Sequence, residues 1–159
     1  MADKFETQKY PRRKVLALAG TGIIAVAGIG ILPGAANADA AAVAKAIKEM
    51  IGDKKTKTGR IKMELPQIAE NGNTVPMGFE VESPMTESDY VKAVHIFAEK
   101  NPQPYVATYR FTPDSGKAKV STRMRLRKTQ NVVAVAEMSD GSVYMVKTPV
   151  KVTIGGCGG

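Results

Sequence analysis

From Arg60 to Ile154 the chain is written in short runs in which apolar and polar residues alternate, each closed by a turn. The runs are RIKMELP, VPMGFEVES, YVKAVHIFAE, PYVATYRFTP, KAKVSTRMRLRK, NVVAVAEMS and SVYMVKTPVKVTI, and the breaks between them are ENGN, SPMTES, KNPQP, PDSG, KTQ and SDG. A period of two sends successive side chains to opposite faces of a strand. About seven such runs, spaced by about ten residues with Gly, Pro, Asn and Asp in the gaps, predict an all-β chain. The architecture expected is an immunoglobulin-like antiparallel β-sandwich. Asp140-Gly141, between the last two runs, is a hairpin signal.

Only one stretch before these strands has helical spacing. Asp39 can cap AAAVAKAIKEMI, where Val43, Ala46, Ile47 and Met50 or Ile51 recur on one face, and Gly52 stops it. The charged GDKKTKTG that follows reads as a linker, so residues 39–57 form a helix-and-linker segment and residues 58–154 the sandwich domain.

Two runs stand out. In KAKVSTRMRLRK, Lys117, Lys119, Arg123, Arg125 and Arg127 all fall on one alternation and Ala118, Val120, Met124 and Leu126 on the other. The basic strand 117–128 therefore presents either an ordinary solvated face or an electropositive surface that draws anions or acidic partners. In VKAVHIFAE both alternations are apolar, as expected for a strand whose outer face meets another protein, or for a central strand covered by a loop.

The N-terminus is read as separate from the fold. Lys9, Arg12, Arg13 and Lys14 precede an uncharged stretch from Val15 to Leu32, then Pro33-Gly34 and a small-x-small site at Ala36-Asn37-Ala38. This is the layout of a cleaved export signal over residues 1–38, with Ala38-Asp39-Ala40 as a second cleavage choice. The alternative is a retained membrane helix, which the Gly- and Ala-rich composition disfavours. Arg12-Arg13 resembles the twin-arginine signal that carries folded cargo, although Pro11 and Val15 depart from its usual residues. Periplasmic localisation follows from that signal, with no membrane attachment after cleavage. The leader holds five of the 23 basic residues and two of the 15 acidic ones, so the precursor's charge of +8 falls to +5. That balance, outside the cytoplasm and not gathered into a tail, argues against nucleic acid as a partner.

The single cysteine, Cys157, lies in the terminal Gly155-Gly156-Cys157-Gly158-Gly159. One cysteine excludes an internal disulfide, and an unpaired thiol in an oxidising compartment is a liability unless used. His95 and Cys157 alone cannot fill a four-ligand zinc site, and no glycine loop for phosphate is present. A nucleophilic cysteine needs its base within about 3 Å and held there, whereas glycines on both sides oppose order. Prenylation would require a different C-terminus. Residues 155–159 thus read as a flexible arm, in which Gly155, Gly156, Gly158 and Gly159 supply freedom and slimness. It extends the thiol on the order of 10 Å beyond Ile154. A receiving pocket must supply any activation of that thiol, which suits a carrier better than a catalyst.

The GGCGG end after VKVTI, the export signal and the β-rich body together resemble the SoxY family, the sulfur-carrier subunits of bacterial thiosulfate oxidation. Ile68–Pro76, Ser83–Thr86, His95–Pro102 and Ala136–Ser142 also look like that family's body. The resemblance implies that Cys157 is the site of covalent sulfur attachment, as thiosulfonate and then persulfide, with no resident cofactor or metal and no catalysis by the carrier itself. It implies SoxZ as heterodimer partner, exported with this chain. Transient partners would be the c-type cytochrome SoxAX, the hydrolase SoxB and, where present, the sulfane dehydrogenase SoxCD. Two other readings remain open at this level. One is an exported structural subunit using Cys157 for an intermolecular disulfide. The other is a thiol enzyme with His95 as base.

Overall fold

The computed structural model of the chain describes residues 40–155. The expected leader (residues 1–38), the proposed cap Asp39, and Gly156, Cys157, Gly158 and Gly159 lie outside the described residues. Helix α1 (Ala40–Ile51) is followed by nine strands: β1 (Thr56–Lys57), β2 (Ile61–Glu64), β3 (Ile68–Asn71), β4 (Val75–Val81), β5 (Val91–Ala98), β6 (Tyr105–Arg110), β7 (Ala118–Met124), β8 (Gln130–Met138) and β9 (Val143–Ile154).

The helix ends as its sequence dictates. Gly52 takes φ +70°, and its N–H returns to the Lys48 carbonyl at 2.9 Å. A left-handed glycine closing the last turn in this way is a common helix stop.

The seven expected strands are β2 and β4 to β9, and they pair antiparallel in two sheets. The larger runs β1-β9-β8-β5-β6, with β3 also on β9, and the smaller runs β2-β4-β7. The chain therefore folds as the β-sandwich its alternation calls for. Two further strands were not foreseen. β1 lies within the segment read as linker and pairs with Val143 and Tyr144, whereas β3 pairs with Lys151, Val152 and Ile154; both run parallel to β9. The sandwich is thus mixed rather than wholly antiparallel. β1 holds two exposed polar residues and β3 a single buried one, so neither carries the alternation that marks a strand.

The main core fills the space between the sheets. Val94, Ile96 and Ala98 of β5 and Val132, Ala134, Ala136 and Met138 of β8 meet Val75, Met77, Phe79 and Val81 of β4. Phe79 packs edge-on against Tyr109 at a centroid distance of 5.4 Å. Burying a side chain such as Phe79 contributes about 2–3 kcal/mol.

A second cluster explains the two-sided apolarity of β5. Phe97, Val133, Val135 and Val143 on the outer face of the larger sheet are covered by Val43 and Ile51 of α1, with Ala46 and Ile47 at its margin. β5 is central, between β8 and β6, and its outer face is closed by the chain's own helix. The expectation that this strand's outer face meets another protein is therefore corrected.

Candidate functional site

β9 leads into residues 155–159, the expected arm, and eleven of its twelve residues have ladder partners on β8 or β3. Its inner half and middle pair with β8, from Glu137 opposite Val143 to Gln130 opposite Val150. Its last residues pair with β3. Cys157 itself lies outside the described residues; what the structure describes is the mount on which its arm is set.

That mount is a set of hydrogen bonds between three loops at one end of the sandwich. The Gly72 N–H donates to the Ile154 carbonyl at 2.8 Å, and the Leu126 N–H donates to the Gly72 carbonyl at 2.8 Å. The Thr129 hydroxyl accepts the Val152 N–H at 3.0 Å, and the Thr153 hydroxyl donates to the Glu70 carbonyl at 2.9 Å. Below them sits Asn101. Its Nδ2 donates to the Arg125 carbonyl at 2.8 Å, while its Oδ1 accepts from the Arg127 N–H at 3.0 Å and from Gln130 Nε2 at 2.9 Å. Gln130 Oε1 in turn accepts the Lys100 N–H at 2.6 Å. Buried amides are stable only when so partnered, and among the described residues no buried side-chain polar atom lacks a partner.

Gly155 is the one arm residue described. A side-chain carbon built there would collide with the Arg127 backbone carbonyl oxygen. Glycine at the root therefore has a steric reason in addition to the freedom expected of the arm. The arm's first residue lies directly against the β7–β8 loop.

The electrostatics of this end are one-sided. On the loops 72–74, 99–104 and 125–129, the exposed charged residues are Lys100, Arg125, Arg127 and Lys128, all cationic, and none forms an ion pair among the described residues. The one carboxylate, Glu99, is buried and bound by Lys147 Nζ at 2.9 Å and Asn131 Nδ2 at 2.7 Å. Burial pushes the Glu99 carboxyl up, but the bonds from Lys147 and Asn131 together outweigh it and hold the group below the ordinary carboxylate range. The alternation expected over 117–128 is present, with Lys119, Arg123, Arg125 and Arg127 exposed and Ala118, Met124 and Leu126 buried. Within it Lys119 is taken by Glu80 at 3.1 Å.

His95 is engaged elsewhere. Its Nδ1 meets the Thr108 hydroxyl at 2.7 Å and its Nε2 meets Glu137 Oε1 at 2.9 Å, in a site only 6 % exposed. His95 stands opposite Val135, which stands opposite Met145, nine residues along β9 from Ile154. At 3.3 Å per residue that is roughly 30 Å from the arm's root. Two further residues reach about 7 Å from Gly155, so His95 cannot serve as base to Cys157 of the same molecule. Among the described residues no group of three His, Cys, Asp or Glu could hold a metal ion, and no helix is long and apolar enough to cross a membrane.

The SoxY family, described as "Sulfur oxidation protein SoxY", matches residues 47–157, a span that ends on Cys157. The sulfur carrier protein SoxY from Chlorobium limicola f. thiosulfatophilum is 33% identical, covers 73% of this chain and 100% of its own, and superposes with a TM-score of 0.62. The chain belongs to the SoxY family. Superoxide reductases share the fold alone: the neelaredoxin of Ignicoccus hospitalis is 15% identical, covering 60% of this chain and 82% of its own, with a TM-score of 0.54. A putative superoxide reductase from Thermotoga maritima is 16% identical, covering 63% and 94%, with a TM-score of 0.53. No curated protein matches the chain. Beyond Cys157 and its glycines, sequence reasoning missed the mount: Gly72, Asn101, Thr129 and Gln130 fell in segments read only as turns.

Proposed function

We propose that this SoxY-family chain carries sulfur covalently on Cys157 in the periplasm and presents it to the enzymes of thiosulfate oxidation without itself catalysing a reaction. The observation that carries this reading is the family match running through the body and ending on Cys157, three residues past the strand whose end is held by the Gly72 bond and beside the loop that Asn101 anchors. A rigid root with a thin glycine tip lets a thiol enter a narrow channel while the body stays outside.

The chemistry assigned to Cys157 is as follows. The thiol loses its proton, a bond forms between its sulfur and the outer sulfur of thiosulfate, and the two electrons released pass to a c-type cytochrome of the SoxAX kind. Water then cleaves the terminal S–S bond at a SoxB-type hydrolase. Sulfate and a proton leave, and a persulfide stays on the arm. Where a SoxCD-type dehydrogenase exists, it oxidises that remaining sulfur. The sandwich is bound to SoxZ, and export as a folded complex through the Arg12-Arg13 leader brings both subunits to the same compartment.

The test is an intact mass spectrum of the protein isolated from thiosulfate-grown cells, before and after reduction, with Cys157→Ser as the comparison. Adducts that vanish on reduction and are missing from the serine variant are expected. An unmodified thiol, or only a disulfide-linked dimer in cells lysed with the thiols trapped, would overturn the reading.

A further inference from the structure

The end of the sandwich that bears the arm differs in charge from the opposite end. The far loops mix both signs: Glu82, Glu87, Asp89, Asp114 and Asp140 stand beside Lys54, Lys55, Arg60 and Lys117. There Arg60 Nη1 is 3.1 Å from Asp89, and the Asp140 carboxyl is lowered first by its bonds to Ser142 and further by the charges of Lys57 and Arg60. Among the described residues, the exposed charges on the loops of the arm end are the unpaired Lys100, Arg125, Arg127 and Lys128. Its one carboxylate, Glu99, is neutralised from within by Lys147. Just below, exposed Glu70 on β3 and Lys151 on β9 bring one charge of each sign.

Geometry decides what such a surface can touch. A thiol two residues beyond Gly155 can enter a channel only if the body closes to within about 10 Å of its mouth. The loops around the root then face the rim. A single exposed cation binds a small anion weakly in water. Four cations of one sign, facing a complementary surface, instead steer the encounter and fix its orientation.

We propose that Lys100, Arg125, Arg127 and Lys128 form the docking face of this chain, and that its occupant is a protein surface whose carboxylates ring the mouth of the channel that receives the arm. The inference rests on the carrier reading above. It adds that the body, and not the arm alone, recognises the receiving enzyme, and that electrostatics turn the molecule arm-first.

The experiment compares the chain as isolated, with any bound subunit, and its Arg125→Glu/Lys128→Glu double variant as substrates for a purified SoxB-type hydrolase. Lys117→Glu, at the far end, is the control. Both altered cations are exposed, and only the backbone of Arg125 bonds to Asn101, so the variants should unfold at the unaltered midpoint. The expected result is that kcat/KM for the unaltered chain falls about tenfold between low and high salt. The double variant should lose about tenfold at low salt with kcat unchanged, and the control less than twofold. Salt-insensitive kcat/KM, or an equal loss in the control, overturns the proposal. So does a matching loss when the thiol is loaded with a small thiosulfonate reagent and no enzyme, since that would place the effect on the anion. If the unaltered chain yields no sulfate at any salt concentration, the carrier reading fails and the docking face falls with it.

Discussion

Asn101→Ala tests how firmly the arm is mounted. The side chain is 9 % exposed and its neighbour Gln130 only 4 %. Truncation removes three hydrogen bonds at once and leaves the Arg125 carbonyl, the Arg127 N–H and the Gln130 amide to find other partners. Each orphaned buried group costs about 1–3 kcal/mol. The two backbone groups belong to exposed residues that water can reach, so a loss of about 2–3 kcal/mol is the expected sum. That is a large share of a domain stability of roughly 5–15 kcal/mol. With a urea m-value of about 1–3 kcal/mol/M, the midpoint should drop by roughly 1–2 M at unchanged m. Unfolding can be followed by tyrosine fluorescence, since the chain has five tyrosines and no tryptophan. Asn101→Asp keeps both acceptor bonds and loses the donor, so it should fall between the two. A loss below about 0.5 kcal/mol in Asn101→Ala would show that the β7–β8 loop holds itself, and the account of the mount would be wrong.

Three further substitutions give testable outcomes. Gly155→Ala should cost about 1 kcal/mol, because its methyl meets the Arg127 backbone and the strand end must shift, straining the Gly72–Ile154 bond. Gly78→Ala, whose methyl meets chiefly the movable Glu64 carboxylate at 3.1 Å, should cost measurably less by the same urea titration. The Glu99 carboxyl is held below its ordinary value of 4.5, so its contribution to stability is complete above that pH and is lost as the pH falls through the depressed value. Glu99→Gln should therefore flatten the acid limb of stability below pH 4.5, measured as the urea midpoint against pH; an unchanged slope would refute the assignment.

The legible parts of the sequence were those governed by alternation and by turn residues. β4 to β9 could be placed because their side chains must alternate, and the helix because Val43, Ala46, Ile47 and Ile51 share a face. β1 and β3 could not. Their role is to supply backbone groups to β9, and a ladder of main-chain bonds leaves no side-chain pattern. The double apolarity of β5 was visible, yet its cause was not, since the covering helix lies more than forty residues earlier in the chain. Cys157 was conspicuous by its glycine neighbours and terminal place. Asn101 and Gln130 were not, because a buried amide that anchors a loop is written with the same letters as one that floats in a turn.

The parallel pairing of β1 and β3 with β9 ties the earliest strands to the last one. Such contacts close the longest loops in the chain, and folding that depends on them is slow and late. On the ribosome, neither short strand has a partner until the twelve residues of β9 have emerged. A chain cut off before Val143 has no β9, so β8 is left with a bare edge. Completion of the sandwich and delivery of the arm are consequently one event: a copy whose β9 is in place has already been translated through Ile154, the residue that leads into Gly155.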